Sequence, residues 1–466
     1  MAKSKNFKPP NTYLILFTLL VIMAVLTWIV PGGRYQTELV DGREMVVPGS
    51  FEQVPAEPQN LLNLLVAPVK GFMDAAEIIA FVLIVGGAFS VLQRTEAIDA
   101  VIRRLARASR RSAAIRTAII PLFMVLFSLG GAVFGMAEET IPFVLIFIPL
   151  SLALGYDSIV GAAIPFVGSG AGFAGAFLNP FTVGIAQGIA DLPLFSGLEY
   201  RVFVWLVTTT ITVLFVMLYA SRIRKDPTKS PVYEMDEKLR HTMHLDIDGE
   251  NSGTTKRQVW VLAAFGVAMG MLVFGVLRLG WYIEEIAGLF LAMGIVVGII
   301  GGMKGGEIAE GFENGAKDLV GVAVIIGLAR GILILAQDGL IIGTMLNALS
   351  SVVGSLHPVA SAEMMFVFQS MLNFFVPSGS GQAALTMPIM APLSDLVGVS
   401  RQTAVLAYQF GDGFSNIIIP TSAVLMGVLS LAKIPWTTWA KWIAPLVLML
   451  SLAGGLMLIP PFFGVW

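Results

Sequence analysis

The segment YLILFTLLVIMAVLTWIV, from Tyr13 to Val30, holds eighteen residues and no charge. A run of that length and apolarity forms a helix that spans roughly 30 Å of hydrocarbon. Further windows of 17 or more apolar residues follow it, and they make the chain a polytopic membrane protein. The composition agrees: 56% of the 466 residues are hydrophobic, 13% are charged, and the mean hydropathy is +0.82. The motif PGGRYQ after the first window offers no small-x-small cleavage site, so the window reads as an uncleaved first helix.

The same composition removes several classes of function. The net charge of −2 is silent on nucleic acid, but no basic patch is interleaved with aromatics as single-strand binding needs, so nucleic acid is set aside as a partner. The absence of cysteine excludes disulfides, iron–sulfur clusters and thiolate metal sites. Only three histidines occur, with His241 and His244 in a polar loop, so no metal centre is expected.

Basic loops stay cytoplasmic, and this fixes the topology. Lys3, Lys5 and Lys8 precede the first helix, seven arginines lie between Arg94 and Arg116, and SRIRK opens the segment from Ser221 to Gln258. The segments Gly32 to Asn60 and Asp191 to Glu199 belong on the other side. The N-terminus is therefore expected in the cytoplasm. Residues 1–220 form one unit, with a helical hairpin over 117–154 and a broken helix over 158–190. Residues 221–258 are a cytoplasmic linker without a core of its own. Residues 259–466 supply a linking helix and a second unit, with a hairpin over 360–397 and a broken helix over 403–431. The crossing between them that bears Arg330 is expected over 318–336.

The units repeat one another. GFMDAA at Gly71 recurs as GFENGA at Gly311, PLSLALGYDS at Pro149 as PLSDLVGVSR at Pro392, and FVGSG at Phe166 as QFGDG at Gln409. An odd number of crossings separates matching points, so the expected fold is an all-α inverted repeat. Its hairpins are read as re-entrant and two of its helices as discontinuous, the arrangement that marks a secondary transporter's binding site.

Polar residues concentrate at four places: the hairpin turns GMAEETIPF and VPSGSGQAA, and the breaks GSGAGFAGAFLNPFT and GDGFSNIIIPTS. Unwound carbonyls suit a cation and helix N-termini suit a carboxylate. Close packing by glycine does not require Asn179, Asp412, Ser415, Asn416, Thr421 and Ser422 beside it. An acid such as Asp412 inside a span costs at least about 2.5–3.5 kcal/mol, which makes it a functional candidate by default. Arg330 is read as a counter-ion for Glu138, Glu139 or Asp412.

LGGAVFGMAEE, LGYDSI, NPF with AQGIA, SGSGQAALTMP, and QFGDGFS with PTSA resemble the YfcC-like branch of the four-carbon dicarboxylate anaerobic carrier family. The resemblance covers essentially the whole chain. It implies an ion-transporter fold with a scaffold domain and an elevator-type transport domain. It also implies a homodimer in the inner (cytoplasmic) membrane, with Na⁺ or H⁺ as coupling ion and no other cofactor. Carried over by position, the substrate-binding candidates are Glu138, Glu139, Thr140, Asn179, Ser378, Gly379, Ser380, Gln382, Asn416 and Thr421. The ion-binding candidates are Ser169, Gly170, Asp412 and Ser415. Hairpins of relatives with established dicarboxylate sites carry Ser-Asn-Thr motifs, whereas EET and SGS stand here. The substrate class therefore stays open between an amino acid, basic ones included, and a four-carbon dicarboxylate.

Other classes fit less well. An intramembrane aspartyl protease would need Asp157 and Asp412 as a proton-sharing pair, but Asp157 falls at a helix boundary. A serine mechanism at Ser380 lacks a base, and no ring-like filter supports a channel.

Overall fold

A computed structural model describes residues 12–40, 43–47, 49–242, 255–353 and 356–465. Lys3, Lys5, Lys8, His244 and the linker residues 243–254 lie outside the described residues. Helix α1 (Thr12–Ile29) is followed by strands β1 (Gly32–Arg34), β2 (Thr37–Val40), β3 (Arg43–Val46) and β4 (Glu52–Val54). These strands amend the all-α expectation with two antiparallel ribbons, β1 with β4 and β2 with β3. The ribbons lie in the polar Gly32 to Asn60 segment.

The rest is helical: α2 (Leu61–Asp74), α3 (Ala76–Arg94), α4 (Ala97–Arg111), α5 (Ala113–Phe134), α6 (Thr140–Ala153), α7 (Ser158–Ala174), a π turn (Pro180–Gly184) running into α8 (Ile185–Ile189), and α9 (Leu198–Lys225). Then come α10 (Tyr233–Thr242), α11 (Lys256–Phe274), α12 (Ile283–Ile300), α13 (Gly305–Asp338), α14 (Ile341–Val353), α15 (Pro358–Asn373), α16 (Gly379–Leu396), α17 (Arg401–Ser415), α18 (Ala423–Ala432) and α19 (Trp436–Leu458). Short polar residues open several of them. Ser112, Asp157, Ser378, Ser400 and Ser422 each accept a bond from a backbone N–H of the first turn.

Among the described residues, seven helices are long and apolar enough to cross a membrane. Helix α13 begins thirteen residues before the expected Asp318. Its early turns are polar: the Glu307 side chain caps Lys304 N–H at 2.6 Å, and Lys317 pairs with Glu313 at 2.5 Å. Charge ends the apolar window there without ending the helix.

The helices form two packed groups. In one, α13 lies along α1, α2 and α3, with α12 and α11 beside them. In the other, α5 and α6 pack on α7, α15 and α16 pack on α17, and α9 and α19 close the group. Helix α4 touches members of both, and α18 meets α13.

The glycine-rich stretches act differently from the expectation. Helix α7 runs unbroken through Gly168, Ser169, Gly170 and Gly172, and α17 runs through Gly411 and Gly413. Gly172 lies so near Ser128 that a Cβ there would fall 1.8 Å from the Ser128 carbonyl, and Gly413 packs on Ala174. These glycines bring helices together. The breaks themselves fall later, at 175–179 and 416–422.

The linker also packs, contrary to the reading that it lacks a core. The Asp236 carboxylate of α10 accepts the Ser158 N–H at 2.8 Å and the Ser158 hydroxyl. Asp157 accepts the hydroxyls of Tyr219 at 2.6 Å and Ser230 at 2.7 Å, and Arg240 donates to the Tyr156 carbonyl at 2.6 Å. Burial raises the Asp236 carboxyl above its ordinary value, and the bonds from Ser158 pull it back down. Asp236→Ala leaves the buried Ser158 groups without their acceptor and should cost about 1–3 kcal/mol. Thermal unfolding in detergent checks this, and an unchanged midpoint would mean that the docked segment contributes nothing.

Candidate functional site

The first hairpin turns at Gly135, whose φ of +74° favours glycine and whose missing side chain leaves room for Asn179. A Cβ at 135 would sit 2.6 Å from Asn179 Oδ1. The tip is then tied down from within. Glu139 accepts the Ala137 N–H at 3.0 Å, and the Thr140 hydroxyl donates to the Ala137 carbonyl at 2.5 Å. The Ser169 hydroxyl of α7 donates to the Met136 carbonyl. Asn179 accepts the Phe181 N–H at 2.9 Å and so starts the π turn after the first break.

The second hairpin is held by side chains from its own arms and from α17. Gln382 donates to the carbonyl and side-chain oxygen of Gln369 at 3.0 and 2.6 Å, and Gln369 donates to Thr386 at 2.9 Å. The Tyr408 hydroxyl donates to the Gly379 carbonyl at 2.6 Å. One turn on, Asp412 is fully buried; its Oδ1 accepts Asn416 Nδ2 at 3.1 Å, while its Oδ2 has no hydrogen-bond partner among the described residues. That Oδ2 lies 3.2 Å from where a Cβ on Gly379 would stand. Asn373 Nδ2 reaches the Asp412 carbonyl at 3.0 Å, Ser415 at 2.7 Å and Asn416 at 3.0 Å.

Between the two tips and α2, α3 and α13 lies a cavity of about 320 Å³. Glu138, Thr140, Ser169, Gly170, Ser378, Gly379, Ser380, Asn416 and Thr421 line it, as the sequence suggested. Glu139, Asn179, Gln382, Asp412 and Ser415 stand behind this lining and hold it in place. The sequence did not point to Asp74, Glu77, Thr182 or Tyr282, which also line the cavity. Asp74 belongs to the repeat motif GFMDAA, an acid among apolar residues, and that signal could have marked it.

Arg330 corrects an expectation. Its Nε bonds Asp74 rather than Glu138, Glu139 or Asp412. The break in α17–α18 also differs in part, because two of its carbonyls are taken up by tryptophans. Trp436 Nε1 donates to Ile418 at 2.8 Å and Trp439 Nε1 donates to Ile417 at 2.9 Å. Among the described residues no cluster of three His, Cys, Asp or Glu side chains could hold a metal ion.

Seven membrane-length helices, with shorter broken ones enclosing a polar cavity, are the build of an integral membrane transporter. The chain belongs to the C4-dicarboxylate anaerobic carrier family, DcuC, which it matches over residues 10–461. It is 38% identical to an Escherichia coli (strain K12) protein named "Putative basic amino acid antiporter YfcC", over 98% of this chain and 97% of that one. It is 29% identical to an uncharacterized protein of Haemophilus influenzae, again over 98% and 97%. Two solved structures, Alcanivorax borkumensis YdaH and Neisseria gonorrhoeae MtrF, align at 16% identity with TM-scores of 0.44 and 0.43. Each alignment covers 98% of this chain, with 99% of YdaH and 95% of MtrF. The protein is thus a transporter and not an enzyme.

Since the chain has no cysteine, single replacements report access directly. Ser380→Cys, at the cavity wall, should react with a small thiol reagent, while Glu139→Cys, behind the first tip, should stay protected in the folded protein. Equal reaction rates at the two positions would contradict this placement.

Proposed function

We propose that the protein is a secondary active transporter that exchanges basic amino acids across the inner membrane, with its N-terminus in the cytoplasm. The observation that carries this reading is the charge of the cavity wall, where Asp74, Glu77 and Glu138 face a single guanidinium, Arg330, already paired to Asp74. A dicarboxylate entering there would add like charges. At about 6 Å and an effective dielectric constant near 20, each such pair costs about 3 kcal/mol, and a cationic side chain gains as much. The name given to the Escherichia coli relative supports the same substrate class.

The two packed groups support an elevator motion, in which α5–α9 with α15–α19 move as the transport body against a scaffold of α1–α3 and α11–α14. The matching hairpins and broken helices support an inverted repeat with re-entrant hairpins, and a homodimer would hold the scaffold still. The buried oxygens Asp412 Oδ2, Gln409 Oε1 and Thr421 Oγ1, which lack hydrogen-bond partners among the described residues, suit a coupling cation, Na⁺ or H⁺.

Proteoliposomes loaded with lysine and given labelled lysine test the reading. Uptake should be saturable, should depend on internal lysine or arginine, and should be unaffected by succinate. Uptake driven by succinate or fumarate would overturn the substrate class and favour the dicarboxylate named in the family's description. Asp412→Asn should abolish the response to imposed Na⁺ or pH gradients while leaving the folded protein intact, and an unchanged response would remove Asp412 from ion coupling.

A further inference from the structure

Arg330 sits on the cavity-facing stripe of α13, at helical spacing from Ile326, Ala329 and Leu333, the apolar residues this helix otherwise adds to the wall. An arginine at this depth is expensive, and its pairing with Asp74 explains why it is tolerated. Pairing alone does not explain why both groups face the cavity, with side chains 28% and 38% exposed.

Asp74 takes only the Nε of the guanidinium; Nη1 and Nη2 make no hydrogen bond among the described residues. Arginine presents its donors as a planar fork that matches a carboxylate two bonds at a time. The free Nη1/Nη2 edge is that fork. Asp74 closes α2 where it breaks into α3, its position held by the Ala75 N–H returning to the Gly71 carbonyl at 3.0 Å. It fixes the guanidinium from one side. Glu138 and Ser378 to Ser380 line the cavity from the hairpin tips, on the other group of helices.

We infer that Arg330 binds the carboxylate of the transported solute, on the wall opposite the hairpin tips, with Asp74 as its positioning residue. This rests on the reading of the cavity as the substrate site and deepens it. The solute is then an α-amino acid whose carboxylate meets Arg330 while its amino groups meet Glu138 and Glu77.

The test is competition for labelled lysine exchange in proteoliposomes of the full chain by lysine and by cadaverine, which is lysine without its carboxylate. The unaltered protein should prefer lysine by about a hundredfold, the upper range for losing a hydrogen bond to a charged group. Arg330→Gln should raise the KM for lysine by at least about tenfold and, by removing a like charge, leave inhibition by the dication cadaverine no weaker than before, so that the preference collapses. Arg330→Lys, which keeps the charge without the fork and guards against loss of folding, should give an intermediate preference.

Equal losses for lysine and cadaverine in Arg330→Gln would overturn the inference, as would an unaltered preference in either variant. A protein that exchanges succinate and not lysine would refute the basic amino-acid reading alone. Arg330 is then judged by the same substitution on succinate, whose KM must rise for the inference to stand and stay unchanged for it to fall.

Discussion

Every backbone polar group shut away from water needs a partner, and two helices of this protein are interrupted inside its packed interior. The structure meets that demand with dedicated side chains. Trp436 and Trp439 donate to the carbonyls of Ile418 and Ile417 at the second break, while the Ala132 carbonyl accepts the Phe177 and Leu178 N–H groups at the first. Asn179 and Ser422 cap the helices that resume. With these backbone groups satisfied, charged side chains stand out in the cavity's chemistry. This is why its character is set by Glu138, Glu77, Asp74 and Arg330.

The two rows of small residues that lower helix–helix distance have a related effect. Gly131 approaches the Ser169 carbonyl and Gly172 the Ser128 carbonyl, so α5 and α7 meet nearly backbone to backbone. Ser128 also bonds Thr209 at 2.6 Å and accepts Trp205 Nε1 at 2.9 Å, which ties α9 to the same seam. Dispersion at such short range acts over many atoms at once. Hairpin, broken helix and α9 therefore behave as one packed unit beneath the first tip.

Much of this was legible in the primary structure because local rules decide it. The hairpin turns and the resumption of helices at Pro180 and Ala423 follow from Gly, Pro, Asn and Ser at their caps, and the observed arms lie within a few residues of the expected 117–154 and 360–397. Of the nine lining residues found, Glu138, Thr140, Ser378, Gly379 and Ser380 sit at the hairpin turns, Asn416 and Thr421 in the second break, and Ser169 and Gly170 within α7. What local rules cannot reach is partnership across the chain. Arg330 and Asp74 are 256 positions apart, Tyr408 meets Gly379 from another element, and the glycines of α7 and α17 look the same whether they unwind a helix or pack it. The ribbons over 32–54 were hidden in a segment classed only by its polarity.

The polar cluster around Asp157 carries a consequence for the order in which the protein is made. Tyr219, Ser230, Asp236 and Arg240, which satisfy Asp157, Ser158 and the Tyr156 carbonyl, all come within 84 positions of their partners and before α11. Chains fold from the N-terminus as they emerge. The first broken helix can thus close its buried end while the second half is still on the ribosome. An unfinished transporter would then carry no exposed aspartate pair into the wait for its second half.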